Sequence, residues 1–180
     1  AQLSAERQQV RLMRAVSEEQ RADRTLSPAD EEQFAKSMDL LIQAQECGRE
    51  WSGFSSHDVS IVLREGGMVV QRFNREEVLM RLGEAATFFG IVLQGTVAVR
   101  QGDTVAALKY PGDLLGELAL FNGGLRSADL VATSGDAERP GYVATMSFYS
   151  LEKFHTGSSP QSRSVAERLN ALLARVTLSR

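Results

Sequence analysis

Cysteine, histidine and long apolar runs are all scarce in this chain, and each scarcity excludes a class of function. A single cysteine, Cys47, rules out an intrachain disulfide and points to a reducing compartment. Its plain reading is a small apolar residue near a helix end. The two histidines, His57 and His155, fall outside the strand-like segments. A metal-dependent β-barrel enzyme would need two or three converging on its interior. No Ser/His/Asp or Cys/His arrangement is legible either. The expectation is a non-enzymatic protein with no catalytic residue, metal site or resident cofactor. No apolar run approaches the roughly 20 residues of a membrane span, and the polar, charged residues 1–14 do not read as a signal peptide. The expected location is therefore cytoplasmic, or the intracellular side if the chain belongs to a membrane protein. Net charge is only −3, so no broad field attracts nucleic acid, and any anion site must be local. The one tryptophan, Trp51, reads with Phe54 as a packing anchor between helices.

Hydrophobic residues at 43% and charged residues at 24% fit a globular domain with helical extensions. Residues 1–24 are rich in Gln, Glu, Arg and Ala, with Leu3, Val10, Leu12, Met13 and Val16 giving a thin apolar stripe. Ser27-Pro28-Ala29-Asp30-Glu31 is a helix start, with Ser27 as N-cap and Pro28 at the first helical position. Phe34, Met38, Leu41 and Ile42 follow at helical spacing, and Gly48 is a stop. Ser55-Ser56-His57-Asp58 starts a second helix that ends at Gly66-Gly67. From Met68 the pattern becomes β. Runs at 68–73, 78–82, 88–93, 96–100, 104–108, 129–133 and 142–147 alternate with turns, at the spacing of a sandwich or barrel. Gly95 and Gln101-Gly102-Asp103 mark hairpin turns. The rhythm breaks once, at 114–125. Helical period returns with Leu151 and Phe154, then with Val165, Leu169, Leu172, Leu173 and Val176, across a joint at 155–161. The expected division is a helical extension at 1–54 and a second domain at 55–180. The latter comprises a β segment at 68–148 and C-terminal helices at 149–180. The chain opens on alanine and stops in helix-like sequence, as a piece of a longer protein would.

The break carries the chemistry. Gly116 precedes a helix-prone run, Glu117–Phe121, and a helix start offers free backbone N–H groups that suit a phosphate. A glycine there admits close approach of an anion. Asn122-Gly123-Gly124 ends the turn. Arg126 can then clamp a phosphate with two hydrogen bonds, and Ser127 can donate another. Glu117 is an acceptor and suits ribose hydroxyls. On chemistry alone two readings stand: a sugar-phosphate site, or a surface Glu117–Arg126 salt bridge worth ~0–1 kcal/mol among ordinary turns.

Gly116-Glu117-Leu118-Ala119-Leu120 followed by Arg126-Ser127-Ala128 resembles the phosphate-binding cassette of the cyclic nucleotide-binding domain family, with the same nine-residue spacing from glutamate to arginine. That family includes protein kinase A regulatory subunits, cyclic nucleotide-gated channels and catabolite activator proteins. Phe73–Glu84 resembles its first hairpin, and Phe88–Val99 its third and fourth strands; the likeness covers roughly residues 55–175. The resemblance implies an α+β fold: an eight-stranded antiparallel β-roll, jelly-roll-like, with N-terminal helices and C-terminal hinge and lid helices. It implies that Glu117 binds a ribose 2′-hydroxyl and Arg126 the cyclic phosphate, with Gly116, Leu118, Ala119 and Ser127 adding backbone or hydroxyl donors. A C-terminal lid over the base would draw on Arg168, Leu169 and Leu172, or these residues simply pack on the roll. The implied ligand is cAMP ahead of cGMP, with another purine as a further possibility. The implied role is signal transduction by allosteric coupling to an effector outside the chain, such as a kinase, channel or exchanger. The alternative is a divergent roll that has lost cyclic nucleotide affinity and serves as a protein-interaction or other-purine domain.

Four departures stand out, one of them Ala86-Thr87 in place of a Gly-Asp turn before the third strand. Leu125 occupies the place of a usual proline, Asp129 that of a common threonine, and Arg75-Glu76 that of a Pro-Gly turn. A carboxylate at 129 would oppose a nearby phosphate if it faced the site.

Overall fold

A computed structural model describes residues 28–47, 53–120, 124–157 and 159–178. The expected N-terminal helix at 1–24, the Ser27 cap, the Gly48 stop, Trp51 and the Asn122-Gly123 turn lie outside the described residues. Helix α1 is Pro28–Cys47 and α2 is Ser56–Arg64. The α2 start is a capping box. The Ser55 hydroxyl accepts from the Asp58 amide at 3.1 Å, and the Asp58 carboxylate accepts from the Ser55 amide at 2.9 Å. Asp58 thus satisfies an amide that the helix leaves without an internal partner.

Eight strands follow: β1 Val69–Phe73, β2 Val78–Met80, β3 Phe88–Gln94, β4 Val97–Gln101, β5 Thr104–Lys109, β6 Leu114–Leu115, β7 Asp129–Ala132 and β8 Gly141–Ser147. They form two antiparallel four-stranded sheets, ordered β1-β8-β3-β6 and β2-β7-β4-β5. This is the expected eight-stranded roll. The strand that periodicity did not reveal is β6, whose two residues are too few to show alternation. It pairs Leu114 and Leu115 with Ile91 and Gly90 of β3.

Strand β3 holds the fold together because both its faces are covered. Phe89, Ile91 and Leu93 point into a helix-side core; Val92 points into the core between the sheets. That is why its sequence reads as a near-continuous apolar run. Between the sheets, Phe73, Met80, Val97, Leu115, Leu130 and Val143 pack with Val92. On the other face, Leu40, Leu41 and Ala44 of α1 share a core with Val59 and Val62 of α2 and with the C-terminal helices. Those are α3, Phe148–His155, and α4, Pro160–Leu178. Helix α1, which precedes residue 55, therefore buries its apolar face in the same core as the roll. Phe54 and Phe154 are both buried in it.

Candidate functional site

The segment after β6 is a short 3-10 helix, Glu117–Leu120, introduced by Gly116 at φ +70°. A Cβ on Gly116 would lie 2.6 Å from Met80 Sδ and nearer still to Arg126 Nη1. The glycine is thus required twice over, by its left-handed backbone and by the arginine packed on it.

Arg126 is 6% exposed and Glu117 1% exposed, so the two are not a surface pair. The Arg126 guanidinium donates from Nη1 to the Gly116 carbonyl at 3.0 Å and from Nη2 to the Phe88 carbonyl at 2.5 Å. Its central carbon lies 4.8 Å from the centre of the Phe88 ring. Burial pulls its pKa down to about 10, against the opposing influence of the Glu84 and Glu117 carboxylates. It remains a cation at neutral pH.

The backbone around Arg126 is stitched to the turn after β2. Gly83 N–H donates to Arg126 O at 2.8 Å, Arg126 N–H to Glu84 O at 2.9 Å, and Ala86 N–H to Gly124 O at 2.6 Å. Leu125 bridges Ala85 with its side chain 60% exposed. These bonds supply the rigidity that a proline would bring. Asp129 is also accounted for: its carboxylate accepts from the Leu82 amide at 2.7 Å and does not line the cleft described next.

Gly116, Glu117, Leu118, Ala119, Arg126 and Ser127 all line one cleft, together with Met80, Val99, Lys109, Leu114, Leu115, Leu125, Ala128 and Leu130. It shelters about 60 Å³, and about 450 Å³ counted to its open mouth. Ser127 is exposed at its rim. Sequence reasoning missed Lys109, Val99 and Met80, which no motif marks because they enter from neighbouring strands.

Arg168, Leu169 and Leu172 stand elsewhere. Arg168 forms a two-pronged ion pair with Asp58, Nη1 to Oδ2 and Nη2 to Oδ1 at 2.8 Å each, and donates to Gly53 O at 3.1 Å. This bond holds the Asp58 carboxyl down at about 2 and raises the Arg168 pKa. Leu169 and Leu172 are fully buried in the helix-side core. In this arrangement none of the three lines the cleft, because α4 docks its apolar face on the helix-side core and its arginine on the α2 cap.

Among the described residues no cluster of three or more His, Cys, Asp or Glu is arranged to hold a metal ion, and no helix is long and apolar enough to cross a membrane.

Residues 70–138 match the family model described as the cyclic nucleotide-binding domain. No curated protein matches the chain. Among solved structures, a cyclic nucleotide-binding domain from Methylobacillus flagellatus KT is similar at 21% identity and TM-score 0.60, over 80% of this chain and 80% of that one. PKAR CBD2 with bound Sp-2Cl-cAMPS is similar at 17% identity and TM-score 0.55, over 79% and 93%. The regulatory subunit of a cAMP-independent protein kinase A from Trypanosoma brucei is similar at 19% identity and TM-score 0.50, over 71% and 48%. These likenesses establish the fold, which is shared by a structure holding a cAMP analogue and by one from a cAMP-independent kinase. Residues 70–138, most of the β-roll, thus match the cyclic nucleotide-binding domain, and the two-sheet roll is the fold of the solved domains to which this chain is similar.

Proposed function

We propose that the chain is a non-catalytic regulatory module that binds a cyclic purine nucleotide, cAMP ahead of cGMP, and relays binding through its C-terminal helices. One observation carries the reading: a buried carboxylate, Glu117, and a buried guanidinium, Arg126, share a largely apolar cleft. A guanidinium and a carboxylate lining one cleft match a ligand that carries one anionic group and one hydroxyl-bearing group. Arg126 takes the cyclic phosphate together with the backbone at Gly116–Ala119 and the Ser127 hydroxyl. Glu117 accepts from the ribose 2′-hydroxyl. Preference for cAMP rests on the likeness to PKAR CBD2 with its bound cAMP analogue.

In this state the C-terminal helix is docked on α2 through Arg168 and Asp58. Capping the base therefore requires α4 to leave that partner, and ligand binding draws on the difference in affinity between the two arrangements. An effector protein or domain outside the chain, in the cytoplasm, would read the change. A second reading, a roll that binds another purine or a protein, is favoured by Arg126 already donating to the Gly116 and Phe88 carbonyls.

The roles are tested by displacing a fluorescent cyclic nucleotide with cAMP and with 2′-deoxy-cAMP. The unsubstituted protein should bind the deoxy ligand about tenfold or more weakly, and Glu117→Ala, which removes the acceptor, should bind the two alike. Equal affinity of the unsubstituted protein for both ligands would remove Glu117 from the ribose. No displacement by either ligand would favour the second reading.

A further inference from the structure

We infer that Phe88 is the positioning residue for the phosphate arginine, acting through both its carbonyl and its ring face; this rests on the functional reading above. Phe88 is not among the residues lining the cleft, and it meets Arg126 through both its carbonyl and its ring. Its carbonyl accepts from Arg126 Nη2 at 2.5 Å while its ring lies 4.8 Å from the guanidinium carbon. A ring within about 6 Å of a cation attracts it through the negative π face, most strongly where water is excluded. Gly116 O takes Nη1, so two of the five guanidinium N–H donors are held by the protein and the fork is fixed for the others.

Phe88 is itself anchored. It opens β3 opposite Ser147, whose hydroxyl caps α3, and the neighbouring Thr87 carbonyl accepts from the Phe148 amide at 2.9 Å. Phe89 stacks on Phe148 with ring centres 6.2 Å apart. The residue gripping the arginine is therefore fastened to the start of the hinge helix. An aliphatic side chain of equal bulk would fill the space and leave the carbonyl, but it would not present a π face.

The test replaces Phe88 with 3,4,5-trifluorophenylalanine, with tyrosine and with leucine. Binding of cAMP and cGMP is measured by calorimetry, the Arg126 side-chain N–H signal by NMR, and folding by thermal melt. Trifluorophenylalanine and Phe88→Leu should weaken binding by about threefold to thirtyfold, and Phe88→Tyr by less than about twofold. The Arg126 signal should lose its ring-current shift only in Phe88→Leu. Unchanged affinity on fluorination, or an Arg126 signal indifferent to Phe88→Leu, would overturn the assignment. If the unsubstituted protein binds neither nucleotide, the functional reading fails alone, and the NMR comparison still decides whether the ring holds the arginine.

Discussion

Gly116 shows most clearly why single positions in this cleft tolerate no change. Its φ of +70° and the absence of room for a Cβ beside Arg126 and Met80 mean that Gly116→Ala strains the backbone and displaces the arginine together. The expected result is a loss of roughly 1–3 kcal/mol in denaturant unfolding, with cyclic nucleotide binding reduced further than stability alone explains. Wild-type stability and affinity would refute that account. Glu76 is the converse case, a side chain where glycine would fit better. It holds φ +71° at the third place of the Asn74–Glu77 turn, closed by Glu77 N–H to Asn74 O at 3.1 Å. Glu76→Gly should therefore raise stability by a few tenths to about 1 kcal/mol, relief of strain outweighing the freer unfolded chain. A lower melting temperature would show that the glutamate earns its place some other way. At this scale a break in the strand rhythm drew attention to Glu117 and Arg126, nine residues apart, but chemistry alone left a surface salt bridge equally open, and only the resemblance to the phosphate-binding cassette favoured a site. Phe88 was not legible, since an aromatic in an apolar strand looks like core, and the grip on Arg126 depends on a contact 38 residues away.

Between elements, the Asp58–Arg168 pair decides where the C-terminal helix rests. Asp58 caps α2 and receives two hydrogen bonds from α4, so its carboxyl ionises far below the ordinary range, at about 2. A carboxylate whose pKa is lowered on folding contributes stability above its unfolded pKa of about 3.9 and loses it as pH falls toward 2. Acid unfolding of the unsubstituted protein should therefore steepen between about pH 4 and pH 2, and Asp58→Asn should flatten that limb. If α4 must leave this partner to cap a ligand, Asp58→Asn should also bind cyclic nucleotide several-fold more tightly while unfolding more easily at neutral pH. Unaltered affinity would mean that the pair stabilises the fold without opposing ligand binding. The residues expected to form a lid illustrate a limit of periodicity. Leu169 and Leu172 were recognisable as an apolar helix face, but helical spacing cannot say which surface that face covers. Arg168 finds its partner 110 residues away, at a cap whose own logic is local.

Across the whole molecule, one roll is shared by two cores: a compact one between the sheets, and a larger one in which α1, α2, α3 and α4 cover the outer face of β1-β8-β3-β6. The cleft opens on the compact core, and the helices expected to respond belong to the larger one. Strand β3 separates the cores and touches both. The order of helices, strands and helices was readable from the change of hydrophobic period. That α1, ahead of residue 55, joins the roll's core was not, because an amphipathic stripe does not declare its partner. The account stands on the claim that Arg126 and Glu117 are buried for a cyclic nucleotide. Titration calorimetry of the unsubstituted protein and Arg126→Ala, with cAMP, cGMP and adenosine, tests it most directly. The account predicts saturable binding of a cyclic nucleotide, weaker binding of adenosine, and a loss of roughly 2–5 kcal/mol in the variant. Adenosine binding as tightly as either cyclic nucleotide, or Arg126→Ala binding unchanged, would contradict it.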